Sequence, residues 1–195
     1  MPKLLVEKPD GSRDIIYVEY TGSYYDQSKV IWDERTDGEM PQDACPNMRK
    51  VNGKLVVDEA LVFEAKTKQL LDGKMSALMT VDLSNDSIVT SVIGRRDTEY
   101  LMAEKQAQAY IDAGYKGDTY PYVDSWAMAK AKSEKWAADN IIETASNWRA
   151  IQADMRSKRL KAKEDIRNAT STDTVDTIVH QWYGYLDIIK QQLGI

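Results

Sequence analysis

The sequence predicts an α+β chain, with a small antiparallel β-sheet at the N-terminus and a mainly helical remainder that ends in a long antiparallel helical hairpin. Two patterns indicate this. Up to residue 57, β-branched and aromatic runs alternate with turn sequences. In the last third, apolar residues recur every three or four positions in two segments joined by a short polar turn. We expect a β-rich domain at residues 1–57 and a helical domain at 58–195, with the hairpin at 133–194.

Composition narrows the classes of function. The chain has 195 residues, 43% hydrophobic and 29% charged, which is ordinary for a globular protein. Its net charge of −5 argues mildly against nucleic-acid binding. No apolar run approaches the roughly 18–20 residues of a membrane span, and the first residues lack the apolar core of a signal peptide. We therefore expect a protein that is made and used in the cytosol, with no membrane partner.

The first domain opens with a predicted hairpin. The turn at 9–11 has a proline and a glycine, and it separates the apolar run 4–6 from the β-branched and aromatic run 15–20. Tyrosines 24 and 25 lie in a polar connection, and residues 30–32 form a third candidate strand.

A second hairpin is predicted around Asn52 and Gly53. This dipeptide accepts the positive φ angles of a type I′ turn, and it lies between the strand candidates 48–51 and 54–57. A two-stranded hairpin alone is marginally stable. We therefore expect all of these strands to form one antiparallel sheet.

From residue 58 the apolar period becomes helical. A helix is predicted from 58 to about 78, and the segment 80–92 is ambiguous. Asp97 or Thr98 is the expected cap of the next helix, which Gly114 ends.

A short helix and the hairpin follow. Residues 120–123 are expected to be extended, because the residue before a proline avoids the α region, and Asp124 or Ser125 is the expected cap of the short helix. Ser133 opens the hairpin, whose connection at 168–173 is short enough to force its two helices to run antiparallel. The first apolar stripe is Ala137, Ile141, Thr144, Trp148, Ile151, Met155, Ala162, Ile166 and Ala169, and the second is Val175, Ile178, Val179, Trp182, Leu186, Ile189 and Leu193.

No catalytic, metal or cofactor motif is found. The single histidine, His180, falls opposite the second stripe, so we expect it in solvent without the partner that orients a catalytic base. Residues 82–86 resemble the start of a calcium loop, but Ser87 and Ile93 stand where glycine and glutamate are required. Cys45 has no second cysteine to pair with. We predict no enzyme, no metal and no cofactor.

A basic cluster lies on the first hairpin helix. Residues 149–167 contain seven Lys or Arg and three Asp or Glu. At 100° per residue, most of these cations fall near one line, beside the apolar stripe. Three interpretations are open: a solvated flank supported by Asp176 and Asp187, a docking edge for an acidic protein, or phosphate contacts on nucleic acid. We call this cluster the basic strip, defined as Arg149, Arg156, Arg159, Lys163 and Arg167.

Aromatic residues supply a second set of candidates for partner binding. Five Trp and eleven Tyr against one Phe favour side chains that suit interfaces with a dry and a wet side. Three of them surround a proline turn, and two further residues lie off the second apolar stripe. With the basic strip, the candidate partner-binding residues are Tyr120, Tyr122, Trp126, Tyr183 and Ile188.

The order of several segments resembles a known family. A helix containing Lys105-Gln106-Ala107-Gln108-Ala109-Tyr110 is followed by a Gly-rich break, an aromatic–proline turn and the segment 126–129. Then come the segment 137–142, Trp148 and the basic run 156–163. Over residues 60–170 this resembles the helical C-terminal region of small proteins encoded beside the tail-fibre genes of tailed bacteriophages, described as tail-fibre assembly or tail accessory proteins.

The resemblance implies a function by protein–protein interaction, with no reaction catalysed. We expect a tail protein, present either as a structural accessory of the virion tail or as an assembly protein in the host cytoplasm. The expected partners are other tail or tail-fibre proteins, with a second copy of the chain as a further candidate. The alternative is a nucleic-acid-binding or regulatory protein that uses the basic strip.

Overall fold

The computed structural model describes residues 1–17, 29–117 and 120–195, and the α+β class is confirmed. Tyrosines 24 and 25 and the end of the predicted strand 15–20 lie outside the described residues. The described elements are β1 (Lys3–Glu7), β2 (Arg13–Tyr17), β3 (Val30–Asp33), α1 (Glu34–Asp37), β4 (Met48–Val51), β5 (Lys54–Val57), α2 (Glu59–Ile93), α3 (Asp97–Asp112), α4 (Pro121–Lys130), α5 (Glu134–Asn168) and α6 (Thr172–Leu193).

The chain divides into two compact units, Met1–Leu71 and Asp72–Ile195, which we call the N-terminal unit and the helical unit. The division lies within α2. The predicted boundary between the domains 1–57 and 58–195 lies instead between β5 and α2.

In the described residues of the N-terminal unit the strands form two antiparallel sheets, so the prediction of a single sheet is wrong. One sheet has the order β2–β1–β3, and β4 pairs with β5 separately. The predicted turn between β4 and β5 is confirmed, with φ of 48° at Asn52 and 72° at Gly53. The strands of both sheets contribute to one apolar cluster, in which Leu5, Trp32 and Met48 are buried with Met40. Side-chain packing in this cluster replaces the strand pairing that was expected.

The segment after β3 is held by side-chain hydrogen bonds. Glu34 begins the one-turn helix α1, and its carboxylate accepts from the backbone N–H of Met40 at 2.9 Å and of Lys3 at 2.7 Å. These two bonds lower the pKa of Glu34. The indole N–H of Trp32 donates to the Gly38 carbonyl at 3.1 Å. Cys45, half-buried, packs against the same apolar cluster.

Helix α2 runs for 35 residues without a break. Its predicted end near residue 78 is therefore wrong, and the ambiguous segment 80–92 is helical. Ala77, Val81 and Ile88 are buried on one side of the helix, while Met79 and Leu83 are exposed elsewhere on its surface. Apolar residues on both sides obscure the helical period in the sequence.

Two predicted helix caps are wrong. Helix α3 begins at Asp97 with Arg96 at the N-cap position and without a side-chain capping bond. Helix α4 begins at Pro121, so most of the segment 120–123 is helical, and neither Asp124 nor Ser125 is its cap. Proline suits the first helical position because an N–H group there would have no acceptor within the helix, so its absence costs no hydrogen bond. Tyr120, at φ −127° and ψ 63°, avoids the α region as expected before a proline, but it is not extended either.

The predicted hairpin is confirmed. The Ser133 hydroxyl accepts from the Trp136 N–H at 3.2 Å and caps α5, and the Ser171 hydroxyl caps α6 through the Thr174 N–H. Helices α5 and α6 are in contact. The buried members of the two stripes are Ala137, Met155, Ala162, Ile166, Ala169, Val175, Trp182, Leu186 and Ile189.

The helical unit is held together by two sets of contacts. Helices α3, α4 and the start of α5 share a core of Ala107, Tyr110, Val123, Ala127, Ala137 and Ala138. Further along α5, side chains join the hairpin to α2. The Trp182 indole N–H donates to the Ser84 hydroxyl at 2.8 Å, and the Lys74 ammonium donates to the Arg167 carbonyl at 2.8 Å. These bonds link α2 to both helices of the hairpin.

Candidate interaction surfaces

Most of the basic strip is paired with acidic residues of the same unit. Arg149 forms an ion pair with Glu104 of α3. Lys163 forms one with Asp82 of α2, whose second carboxylate oxygen lies 3.8 Å from Arg159. The structure thus brings Arg159 and Lys163 together on one acidic side chain. These contacts support the interpretation of the strip as a flank of its own fold.

The acidic partners of the strip differ from the expected ones. Asp187 pairs with Lys190 of its own helix at 3.1 Å, and Asp176 contributes its carbonyl oxygen to a 2.8 Å contact with His180. The interpretation as a solvated flank named these two aspartates as supports, but the structure pairs Asp187 with Lys190 instead and Asp176 with no residue of the strip. Both lie on α6, whereas the observed partners of the strip lie on α2 and α3.

Three of the five residues of the strip are exposed, and Arg149 is one of them although it pairs with Glu104. Arg156 is exposed, and Leu160, on the same side of α5, is 49% exposed. Arg167 is also exposed, at 3.3 Å from Glu164 one turn earlier. Exposed pairs of this type contribute little to stability, about 0–1 kcal/mol.

The three aromatic residues around Pro121 differ in how far they are buried. The Tyr120 ring lies 5.0 Å from that of Tyr110 between centroids, tilted by 55°, and is half-buried against the core of the helical unit. Tyr122 is half-buried, and its backbone N–H donates to Gln106. Trp126 is more exposed, with its indole N–H on Asn140 at 3.0 Å. Of these three rings, Trp126 is the one that a partner could cover most readily.

Helix α6 presents two apolar side chains to solvent, as predicted. Tyr183 and Ile188 are 44% and 55% exposed. Five positions on a helix correspond to a rotation of about 140°, so they lie on two sides of its outer surface. His180 is exposed, as predicted.

A shallow groove in the helical unit is lined by tyrosines and charged residues. The Tyr110 hydroxyl donates to Glu134 at 3.2 Å, and the Tyr115 hydroxyl donates to Asp139 at 2.8 Å. Burial is the main cause that raises the pKa of Tyr110, and the hydrogen bond to Glu134 raises it further. For Tyr115, the hydrogen bond to Asp139 is the main cause that raises the pKa. Both hydroxyls therefore remain protonated donors to their own chain. The other charged residues at the groove are Asp124, Lys132 and Lys135.

Sequence reasoning missed an exposed apolar face on α2. Met75, Met79 and Leu83 are 62–70% exposed although they lie in the middle of a long helix. Two signals in the sequence point to this face: the residues are four positions apart, and no Lys or Arg occurs between Lys74 and Arg95.

The described ranges hold no group of three or more His, Cys, Asp or Glu side chains placed to bind a metal ion. Among the helices that the structure describes, none combines the length and apolar character needed to cross a membrane. Comparisons of the chain with protein-family models, with curated proteins and with solved structures give no match.

Proposed function

We propose that this chain is a non-enzymatic tail protein of a tailed bacteriophage, which acts by binding other tail or tail-fibre proteins. One observation carries the proposal: the helical unit presents Trp126, Tyr183 and Ile188 to solvent on well-packed helices. Rigid helices with exposed aromatic and aliphatic side chains are typical of surfaces that bind proteins. The segment order over residues 60–170 supports the assignment to a phage tail.

The pairing of the basic strip argues against the nucleic-acid alternative. Arg149, Arg159 and Lys163 contact acidic side chains of the same unit. A phosphate group would have to compete with these carboxylates. We therefore expect no binding of the purified chain to duplex DNA or to single-stranded RNA at 50 mM salt. Binding whose affinity falls linearly with log salt would support the alternative instead.

The proposal is tested by quantitative mass spectrometry of purified phage particles from cells that produce this chain, with a known tail protein as the reference. A structural accessory is expected at a fixed, low copy number in the particles. An assembly protein is expected to be absent from particles and to co-purify with fibre protein from the lysate. Absence from the particles together with absence of this co-purification would overturn the proposal.

A matched pair of variants tests whether the outer face of α6 binds the tail protein. Ile188→Asp places a charge at an exposed apolar position of α6, and we expect it to reduce recovery with the tail protein. Gln181→Ala alters an exposed polar position of the same helix and is expected to leave recovery unchanged. Equal recovery of both variants would exclude the outer face of α6 as the docking surface.

A further inference from the structure

One side of α2 within the helical unit is apolar, exposed and bounded by two carboxylates. Met75, Met79 and Leu83 are 62–70% exposed, and we call these three residues the Met–Leu face. Asp72 and Asp86, which are also exposed, continue the same line at its two ends. At 100° per residue the five side chains lie within a band about 80° wide. All five belong to the helical unit.

The Met–Leu face lies opposite the side by which α2 packs. Val81 and Ile88 are buried, and at 100° per residue they point about 170° away from Met79. Lys74 also points to the packed side, where its ammonium donates to the Arg167 carbonyl. The face is therefore no part of the core of the helical unit. Such a face costs free energy in water unless another surface covers it.

The charge beside the Met–Leu face on α2 is negative. From residue 75 to residue 94 the only charged residues are Asp82 and Asp86, in a chain that is 29% charged. Asp82, at the edge of the face, is paired with Lys163 of α5. Within the described part of the chain, no cation pairs with Asp72 or Asp86. The unbalanced negative charge therefore lies at the two ends of the face.

We propose that this face binds an amphipathic helix of a partner protein, whose apolar stripe is bounded at both ends by lysine or arginine. The apolar side chains of the partner cover the Met–Leu face, and its cations meet Asp72 and Asp86. These two aspartates are about 21 Å apart along α2, so the partner helix spans about four turns. Methionine adapts its shape to such a contact because its side chain is unbranched and polarizable.

Charge favours a basic partner over a second copy of the chain. The successive intervals from Asp72 to Asp86 are three, four, four and three residues, so the pattern is the same in both directions from Met79. Two copies paired in parallel on this face place each aspartate against itself. Two copies paired antiparallel about Met79 place Asp72 against Asp86. A partner with cations at both ends replaces these two repulsions with two attractions.

The small size of the contact sets the expected affinity. Three apolar side chains and two ion pairs correspond to an interface below about 1,200 Å². We therefore expect a reversible complex with a dissociation constant of about 10–100 μM. The inference does not depend on the tail-protein proposal, because it is tested with the purified chain and a synthetic peptide.

Fluorescence anisotropy of a labelled peptide, titrated with the purified full chain up to about 500 μM, tests the proposal. The Lys peptide is an Ala-rich synthetic helix that repeats the same spacing, with leucine at the three apolar positions and lysine in place of each aspartate. The Glu peptide has glutamate at both ends instead. We expect the Glu peptide to bind at least about tenfold more weakly than the Lys peptide. No binding of the Lys peptide, or equal affinity for the two peptides, would overturn the proposal.

Paired variants locate the binding site. Met79→Gln keeps the length of the side chain but makes it polar, and we expect it to weaken binding of the Lys peptide at least about fivefold. Met128→Gln makes the same change at an 83% exposed position of α4 and should leave binding unchanged. Circular dichroism checks that both variants keep their helices. Equal affinities of the two variants for the Lys peptide would contradict the assignment to this face.

Charge reversal tests the role of the two aspartates. The double variant Asp72→Lys/Asp86→Lys is expected to bind the Glu peptide more tightly than the Lys peptide, because attraction and repulsion exchange places. An unchanged preference would exclude the two carboxylates from recognition. Sedimentation velocity of the chain without peptide tests the other occupant. A dimer at about 100 μM that Met79→Gln weakens and Met128→Gln does not would overturn the proposal in favour of a second copy.

Discussion

Replacing Trp182 with alanine is expected to lower the free energy of unfolding of the helical unit by about 3–5 kcal/mol. Trp182 is 3% exposed, and its indole N–H donates to the Ser84 hydroxyl of α2 at 2.8 Å. The substitution therefore leaves a cavity in the hairpin and removes one of its bonds to α2. Urea unfolding followed by helical circular dichroism at 222 nm measures the loss.

Two further variants separate packing from hydrogen bonding at this position. Ser84→Ala keeps the ring but leaves its buried N–H without this acceptor, which should cost about 1–3 kcal/mol. Tyr183→Ala alters the adjacent, 44% exposed position and should change stability by no more than about 0.5 kcal/mol. If Trp182→Ala costs no more than Tyr183→Ala, Trp182 does not hold the hairpin together as described.

Replacing Leu5 with alanine is expected to remove about 2–5 kcal/mol from the stability of the N-terminal unit. Leu5 is fully buried on β1, between Ile15 of β2 and Trp32 of β3. A unit of 71 residues has a small core, and whole domains are stable by only about 5–15 kcal/mol. The substitution therefore removes a large share of what holds this unit folded.

Trp32 makes this loss measurable. It is the only tryptophan among residues 1–71, so its indole N–H signal in a nitrogen–proton NMR spectrum reports on the N-terminal unit. In the Leu5→Ala variant we expect this signal to move to its unfolded position at a lower urea concentration than in the native chain. Val57→Ala, at a 46% exposed position of β5, is the matched control. Equal midpoints for the two variants would contradict the burial of Leu5.

The hairpin could be predicted because local and tertiary requirements agree there. Each of its helices has one apolar stripe and a serine at its N-cap position, and a short polar connection joins the two helices. Helix α2 lacks this agreement, because one side packs within the helical unit while the other carries exposed apolar residues. The period of its buried residues is therefore not visible in the sequence.

The errors in the two sheets and in α4 have a different origin. The sequence pattern shows which residues form strands, but whether β3 pairs with β4 depends on the packing of residues far apart in the chain. At Pro121 two local rules compete. Proline excludes the helix for the residue before it and favours the helix for itself, and the bond from the Tyr122 N–H to Gln106 stabilises the start of α4.

The ion pairs of the basic strip also could not be predicted from local sequence patterns. The sequence placed the cations of the basic strip on one side of a helix, and that placement follows from helical geometry alone. Their acidic partners lie 45 residues away for Arg149 and 81 residues away for Lys163. No local pattern contains such a pairing, because it depends on how α2 and α3 pack against α5.

The position of Cys45 has a consequence for measuring packing. Its thiol is half-buried against the apolar cluster of the N-terminal unit, and it is the only cysteine of the chain. A thiol reagent can therefore modify a single site, and packing against the cluster slows that reaction relative to a fully exposed cysteine. The native chain thus contains its own chemical probe of how well its smaller unit is packed, and no engineered label is needed to use it.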